Sequence, residues 1–283
     1  MAVERIDSAG DPRIAAYRDV RDGDLVRSRG LFVAEGRLVV RRVVEDKRYR
    51  VESVLLNNAA LNDLASTVAT LAPDVQVLVC DGDDLAGIAG YDVHRGCLAF
   101  VHRPPATPAD EVLASAQTMV VLEGVSNADN VGGVFRNAAA FGAGGVLLSP
   151  TCCDPLYRKA IRTSMGASLR VPFARAGDQA WPGVLSRVRA AGFTIVALTL
   201  REPAETLDAF AAGTRASRVA LMVGTEAAGL TPAVEAAADH RVRIPIDEDV
   251  DSLNVAVAVG IALYRLRGPS GTSGRFEDSP PTF

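Results

Sequence analysis

From residue 119 to residue 246 the chain repeats one pattern: a short apolar run, a polar or glycine-rich break, then a longer stretch with apolar residues at helical spacing. The short runs are 119–123, 145–148, 169–173, 194–198, 220–223 and 242–246. Helices are expected over 131–141, 155–165, 179–191 and 252–267, with shorter pieces near 204–211 and 231–237. Runs that are apolar throughout, rather than alternating, belong to strands buried on both faces. Helices on both sides of a parallel sheet provide that burial. The expected fold class is therefore α/β, with a parallel six-stranded sheet in the C-terminal part.

The front of the chain is less regular. Strands are expected at 51–56, 75–80 and 96–101, and the stretch 32–45 carries apolar residues at helical spacing. This reads as a small α/β domain over 1–102. Residues 103–116 are rich in Pro and Ala and are expected to form a linker to a second domain, 117–267. The tail 268–283 has the composition of a disordered segment.

Composition narrows the function. Of the 283 residues, 48% are hydrophobic and 23% charged, as in soluble globular proteins. No apolar run reaches the roughly 20 residues that span a bilayer, and the N-terminus has no signal-peptide core. Cys80, Cys97, Cys152 and Cys153 have no metal-ligand spacing, and two of them are adjacent. Reduced thiols in a cytoplasm, and no metal site, are expected. A net charge of −4 excludes a uniformly basic nucleic-acid binder. The local distribution differs: Arg37, Arg41, Arg42, Lys47, Arg48 and Arg50 stand against Glu45 and Asp46, and Arg158, Lys159, Arg162, Arg170 and Arg175 form an acid-free patch. Two basic patches on a mildly acidic body fit phosphate contacts on one face, although each patch alone also fits a solvated helix surface.

In open α/β sheets ligands bind beyond the carboxyl ends of the strands, and three such ends are rich in Gly and polar residues. After 119–123 comes Asn130, at a helix start, then Gly132, Gly133 and, six residues on from the Asn, Arg136. Each Gly weakens a helix by about 1 kcal/mol relative to Ala, so these two are expected to admit another backbone or a substrate. No G-x-G-x-x-G is present, which argues against a dinucleotide fold. After 220–223 come Gly224, Thr225 and Glu226; Gly224 is expected to let a ligand lie against backbone. After 242–246 an acidic loop leads to Ser252-Leu253-Asn254 and a long apolar helix. Ser252 is the expected N-cap. Asn254 would then stand inside the first turn, where Asn is a poor helix former, which suggests an amide aimed at a ligand.

Together these three blocks closely resemble the motifs of the SpoU (TrmH-like) branch of the SPOUT RNA methyltransferases. The family pattern is Asn-x-Gly with an Arg a few residues on, then Gly-x-Glu-x-x-Gly-Leu, then Ile-Pro-Met followed by Ser-Leu-Asn-Val. Here Asn130 and Arg136, Gly224 to Leu230, and Ile244 to Ile246 with Ser252 to Val255 stand in that order. The departures are Ile246 for Met, Ala227 for a frequent Gly and Ala256 for a frequent Ser. The front domain, through Phe32 to Arg37, is similar to an L30e-like substrate-binding domain. The resemblance implies a deep C-terminal trefoil knot, S-adenosylmethionine as cofactor, and methyl transfer to a ribose 2′-hydroxyl in RNA. It also implies a homodimer whose active sites combine both subunits. On that model Thr199, Gly224, Ile244, Ile246 and Leu253 hold the cofactor, and Asn130, Arg136, Glu226, Ser252 and Asn254 are the functional polar residues. Arg37, Arg41 and Arg42, with Arg158, Lys159 and Arg162, are the expected RNA contacts. A front domain related to ribosomal proteins favours 23S ribosomal RNA as target. Transfer RNA is the alternative, and a catalytically silent RNA-binding or ribosome assembly factor on the same scaffold is the reading from another class.

Overall fold

The computed structural model describes residues 3–267 except 9, 19–21, 82–84, 86–87, 89–92, 215, 226–227 and 248. The expected tail 268–283 and the candidate Glu226 lie outside the described residues.

Two sheets organise the chain. The N-terminal sheet holds β1 (Val3–Arg5), β2 (Leu31–Glu35), β3 (Val51–Asn57), β4 (Gln76–Cys80) and β5 (Cys97–His102), in the order β1-β4-β3-β5-β2. Strand β4 runs parallel to β1 and β3, and β5 antiparallel to β2 and β3. The C-terminal sheet holds β6 (Thr118–Leu122), β7 (Gly145–Leu148), β8 (Phe173–Arg175), β9 (Thr194–Leu198), β10 (Glu205–Thr206), β11 (Val219–Val223) and β12 (His240–Arg243). Their order is β10-β12-β9-β11-β6-β7-β8, and every pairing is parallel.

Period-two side-chain direction sorts this sheet into two cores. Val120, Leu122, Val146, Leu148, Val196, Leu221 and Val223 pack under the helices Ala128–Phe141 and Val255–Leu266. Met119, Val121, Leu147, Ile195, Ala197, Ala220 and Met222 pack under the helices Ala109–Ser115 and Val184–Ala190. This two-sided burial is why the strands read as unbroken apolar runs.

Several boundaries differ from expectation. Leu31–Glu35 is a fully buried strand rather than the start of a helix; the chain turns at Gly36, with φ 92°, and only then enters the helix Arg37–Glu45. The second half of the expected linker is the helix Ala109–Ser115, anchored by buried Val112 and Leu113. The strand expected at 169–173 begins only at Phe173, after a 3-10 turn at Ala167–Leu169, because Pro172 has no N–H for the ladder. Pro245 likewise follows the end of β12 at Arg243. The seventh strand, β10, is an edge pair of residues too short to leave a pattern in the sequence.

The two sheets share a packed boundary. Leu156, Ile161 and Leu169 from the C-terminal part complete the core beneath the helix Arg37–Glu45. Buried Glu35 lies 3.5 Å from Arg158 Nε, and the Arg158 backbone N–H donates to Asp22 at 3.0 Å. Burial pushes the Asp22 carboxyl above its usual range, against the pull of Arg158.

Candidate functional site

Three loops leave the carboxyl ends of β9, β11 and β12 and meet around one cavity of about 310 Å³. Its walls are Leu198 to Arg201 from the first loop, Val223 to Thr225 with Ala228 and Gly229 from the second, and Ile244, Ile246 and Asp251 to Leu253 from the third. Val255 and Ala258 of the last helix close it. All five expected cofactor contacts, Thr199, Gly224, Ile244, Ile246 and Leu253, line this cavity, and Ser252 joins them. The size lies within the roughly 300–1,000 Å³ of small-molecule sites, and the mix of apolar walls and exposed loop backbone suits a flat heterocycle with polar edges.

The glycine of the second loop acts differently from expectation. A Cβ on Gly224 would stand 2.1 Å from the carbonyl carbon and oxygen of Gly229. The absent side chain therefore makes room for the loop's own backbone, which folds back so that Gly229 N–H donates to Thr225 O at 2.9 Å. The loop is shaped by this self-contact, and the cavity sees its backbone.

The third block is also corrected. The N-cap of the last helix is Asn254, not Ser252. Asn254 Oδ1 accepts from the N–H groups of Ala256 and Val257 at 3.0 and 3.3 Å. The amide's other end is equally committed: Nδ2 donates to Asn130 Oδ1 at 2.8 Å. Ser252, released from capping, is exposed at the cavity edge. In the first block the cap is Asn127, whose Oδ1 accepts from Asp129 N–H at 2.8 Å, and Asn130 is buried in the first turn. One hydrogen bond thus joins the first and third blocks.

Gly132 and Gly133 admit neighbouring helices. A Cβ at Gly132 would meet the Ala160 carbonyl at 2.7 Å and Thr163 Cβ at 2.8 Å; one at Gly133 would meet Ala256 Cβ at 2.6 Å. Arg136 stands elsewhere on the same helix. It is exposed, is absent from the cavity wall, and has no hydrogen bond or ion pair among the described residues. Six helical residues rotate about 240°, so Asn130 turns inward while Arg136 faces out. A single copy therefore brings together Asn130, Ser252, Asn254 and the cofactor set and leaves Arg136 outside.

The expected RNA contacts are mostly engaged within the chain. Arg37 and Arg41 lie 3.8 and 3.7 Å from Asp63. Arg42 donates to the carbonyl of Met165, and burial, then the nearby Arg170, pulls its pKa below the usual guanidinium value. Arg158 holds the boundary with Glu35. Lys159 pairs with Asp129 at 2.7 Å, and that bond, with the Thr163 hydroxyl, holds the Asp129 carboxyl below its usual range. Arg162 is exposed and its side chain makes no hydrogen bond or salt bridge among the described residues, although its charge also helps to hold the Asp129 carboxyl down. Three carboxylates from other segments, Asp63, Glu35 and Asp129, thus answer four of these six cations.

Two charged residues of the cavity wall, Asp251 and Arg201, stand outside the expected site residues. Asp251 belongs to the acidic loop before the last helix, and Arg201 carries no motif; its place depends on a carboxylate 34 residues away. Among the described residues no cluster of His, Cys, Asp and Glu could hold a metal ion, and no helix is long and apolar enough to cross a membrane.

Residues 117–264 match the model of the SpoU rRNA Methylase family. An uncharacterized tRNA/rRNA methyltransferase of Mycobacterium bovis is 38% identical over 267 residues, covering 93% of this chain and 91% of that one. The 23S rRNA (guanosine(2553)-2′-O)-methyltransferase RlmP of Bacillus subtilis is 23% identical, covering 94% of this chain and all of its own. The crystal structure of an AdoMet-bound rRNA methyltransferase from Sinorhizobium meliloti superimposes with a TM-score of 0.77 at 26% identity, over 94% of this chain and 97% of that one. With a family model spanning its C-terminal half, a relative matched along almost its whole length, and the second and third motif loops meeting the loop after β9 around one cavity, the chain belongs to the SpoU rRNA methylase family.

Proposed function

We propose that this protein is an S-adenosylmethionine-dependent RNA methyltransferase that methylates a ribose 2′-hydroxyl, with 23S ribosomal RNA as its target. The observation that carries the reading is the cavity: Thr199, Gly224, Ile244, Ile246 and Leu253, drawn from three separate loops, line one space of cofactor size. S-adenosylmethionine bound there supplies an electrophilic sulfonium methyl. The AdoMet-bound relative supports the cofactor, and the Bacillus relative's 23S rRNA 2′-O-methylation supports the target class. The trefoil knot belongs to the same reading, supported by the family match.

The chain's own task is then alignment and charge. Ile244, Ile246 and Leu253 give apolar contact to a base, and backbone around Leu253 reads its edge. Asn254, fixed by its cap and by Asn130, holds the mouth of the cavity rigid, and Ser252 presents a hydroxyl there. Arg136 remains protonated and is no free base. It binds the phosphate beside the target ribose and polarises the 2′-oxygen, while a phosphate oxygen or water takes the proton. Because Arg136 faces away from its own cavity, it serves the cavity of a second copy. The exposed apolar stripe Val257, Ile261 and Tyr264 on the last helix supports that homodimer. Arg162, with the front domain, contributes to RNA contact.

Mapping 2′-O-methylation on total RNA with and without the protein tests target and reaction together. A new methylated ribose in 23S RNA is expected; a site in transfer RNA would move the target, and no site with intact cofactor binding would favour the silent assembly factor. Arg136→Ala should abolish transfer and leave cofactor affinity within twofold. Near-wild-type transfer in that variant would remove Arg136 from the mechanism.

A further inference from the structure

Arg201 stands at the rim of the cavity, just past the end of β9. Its guanidinium is fully engaged on one side. Nη1 donates to the carbonyl of Leu230 at 2.9 Å and to Glu235 Oε2 at 2.8 Å, and Nη2 donates to the carbonyl of Ala228 at 3.0 Å. The backbone N–H of Arg201 donates to Thr199 Oγ1 at 3.1 Å, so a cavity-lining hydroxyl closes the turn that presents the guanidinium. Glu235 is 3% exposed and sits in the short helix Pro232–Glu235 that follows the second cavity loop. Its Oε1 is buried without a hydrogen bond and lies 3.7 Å from Nε of Arg241, in the strand that feeds the third loop. One buried carboxylate thus connects the elements that carry all three walls of the cavity.

We propose that Arg201 and Glu235 are positioning residues that preset this cavity by clamping the second loop against the first before a ligand enters. Ala228 and Gly229 are exposed, so burial does little to hold that part of the loop. A planar guanidinium that takes two loop carbonyls and a carboxylate fixes orientation as well as distance, which a lysine ammonium does not. A loop already ordered adds no ordering cost to binding. The proposal rests on the cofactor reading given above.

The test is calorimetry of the full chain with S-adenosylmethionine, for wild type, Arg201→Ala, Arg201→Lys, Glu235→Gln and the double variant Arg201→Ala/Glu235→Gln. Thermal melts and methyl transfer at saturating cofactor accompany it. Arg201→Ala and Glu235→Gln should each raise Kd at least tenfold. The double variant should be no more than threefold worse than the weaker single, since paired residues act as a unit. KM for the cofactor should rise while kcat stays within threefold of wild type. Arg201→Lys keeps the ion pair and loses the fork; it should raise Kd threefold or more with melting unchanged, and it decides the matter where the alanine variant folds poorly. A wild type that binds while the variants bind within twofold of it overturns the clamp alone. So do fully multiplicative losses in the double variant, or a fall in kcat at unchanged KM. A wild type that does not bind S-adenosylmethionine overturns the cofactor reading, and the clamp with it.

Discussion

At the scale of single residues, Asn254 shows how one side chain can hold two parts of a site. Its oxygen caps the last helix and its nitrogen reaches Asn130. Replacing an N-cap Asn by Ala costs about 1 kcal/mol, and a buried amide left without its partner costs about as much again. Asn254→Ala is therefore expected to lower stability by about 2 kcal/mol, seen as a fall in Tm of about 4–8 °C for a chain of this size. Asn254→Asp caps equally well, and Asn130 can turn its amide to meet it, so less than half of that loss is expected in the same melt. Equal losses in the two variants would show that the cap is not what matters. Cys153 gives a second check. Burial first, then Asp154, pushes its thiol up to about 11, so almost no thiolate exists at pH 8. Alkylation by iodoacetamide at pH 8 should be far slower than for a free thiol and should accelerate as pH rises toward 11.

At the scale of elements, the helix Ala128–Phe141 is the hub. It packs on Ala160 and Thr163 through Gly132 and on Ala256 through Gly133. Gly133→Ala sets two effects against each other: about 1 kcal/mol gained in helix propensity, and about 1–3 kcal/mol lost to overpacking where the new Cβ would stand 2.6 Å from that of Ala256. The second should win, and Tm should fall. Gly133→Ala/Ala256→Gly removes the clash, so denaturant melts should place the double variant above the sum of the singles. How much of this was legible in sequence depends on the length of the signal. The core strands of the C-terminal sheet announce themselves, because two-sided burial demands unbroken apolar runs. The strand Leu31–Glu35 does not, since its apolar residues merge with the helix that follows and only Gly36 marks the break. The helix Ala109–Ser115 is hidden by its Ala and Pro neighbours, and only its contact with the sheet shows that Val112 and Leu113 are core.

For the whole molecule, the proposed role of Arg136 requires a second copy, because Arg136 does not face its own cavity. Val257, Ile261 and Tyr264 are 50%, 39% and 67% exposed and follow one another at helical spacing on the last helix, whose Val255 and Ala258 line the cavity. An apolar stripe of this kind is what the proposed homodimer would bury. Ile261→Asp should halve the mass seen by sedimentation velocity and abolish methyl transfer, with the fold intact by circular dichroism. An unchanged mass, or full activity as a monomer, would remove the second copy from the site. Only Arg136 and Arg162 among the proposed RNA contacts make no side-chain hydrogen bond or salt bridge among the described residues, so RNA affinity should fall with salt along a shallow slope set by few phosphates, while cofactor affinity barely changes.

Sequence by itself determined the layering of the C-terminal sheet, where most of its strands fall along the chain, and two of the three loops that line the cavity. These follow from local patterns: apolar runs, glycines, and polar residues at strand ends. Tertiary structure decided the rest. That Asn254 reaches Asn130, that Arg158 belongs to Glu35 and that Arg201 belongs to Glu235 are settled by partners far along the chain, and that Gly224 makes room for Gly229 and Arg136 turns away from the cavity is settled by how loop and helix sit in space. A hydrogen bond or ion pair depends on where both groups finish in space, and a sequence pattern carries only one of them.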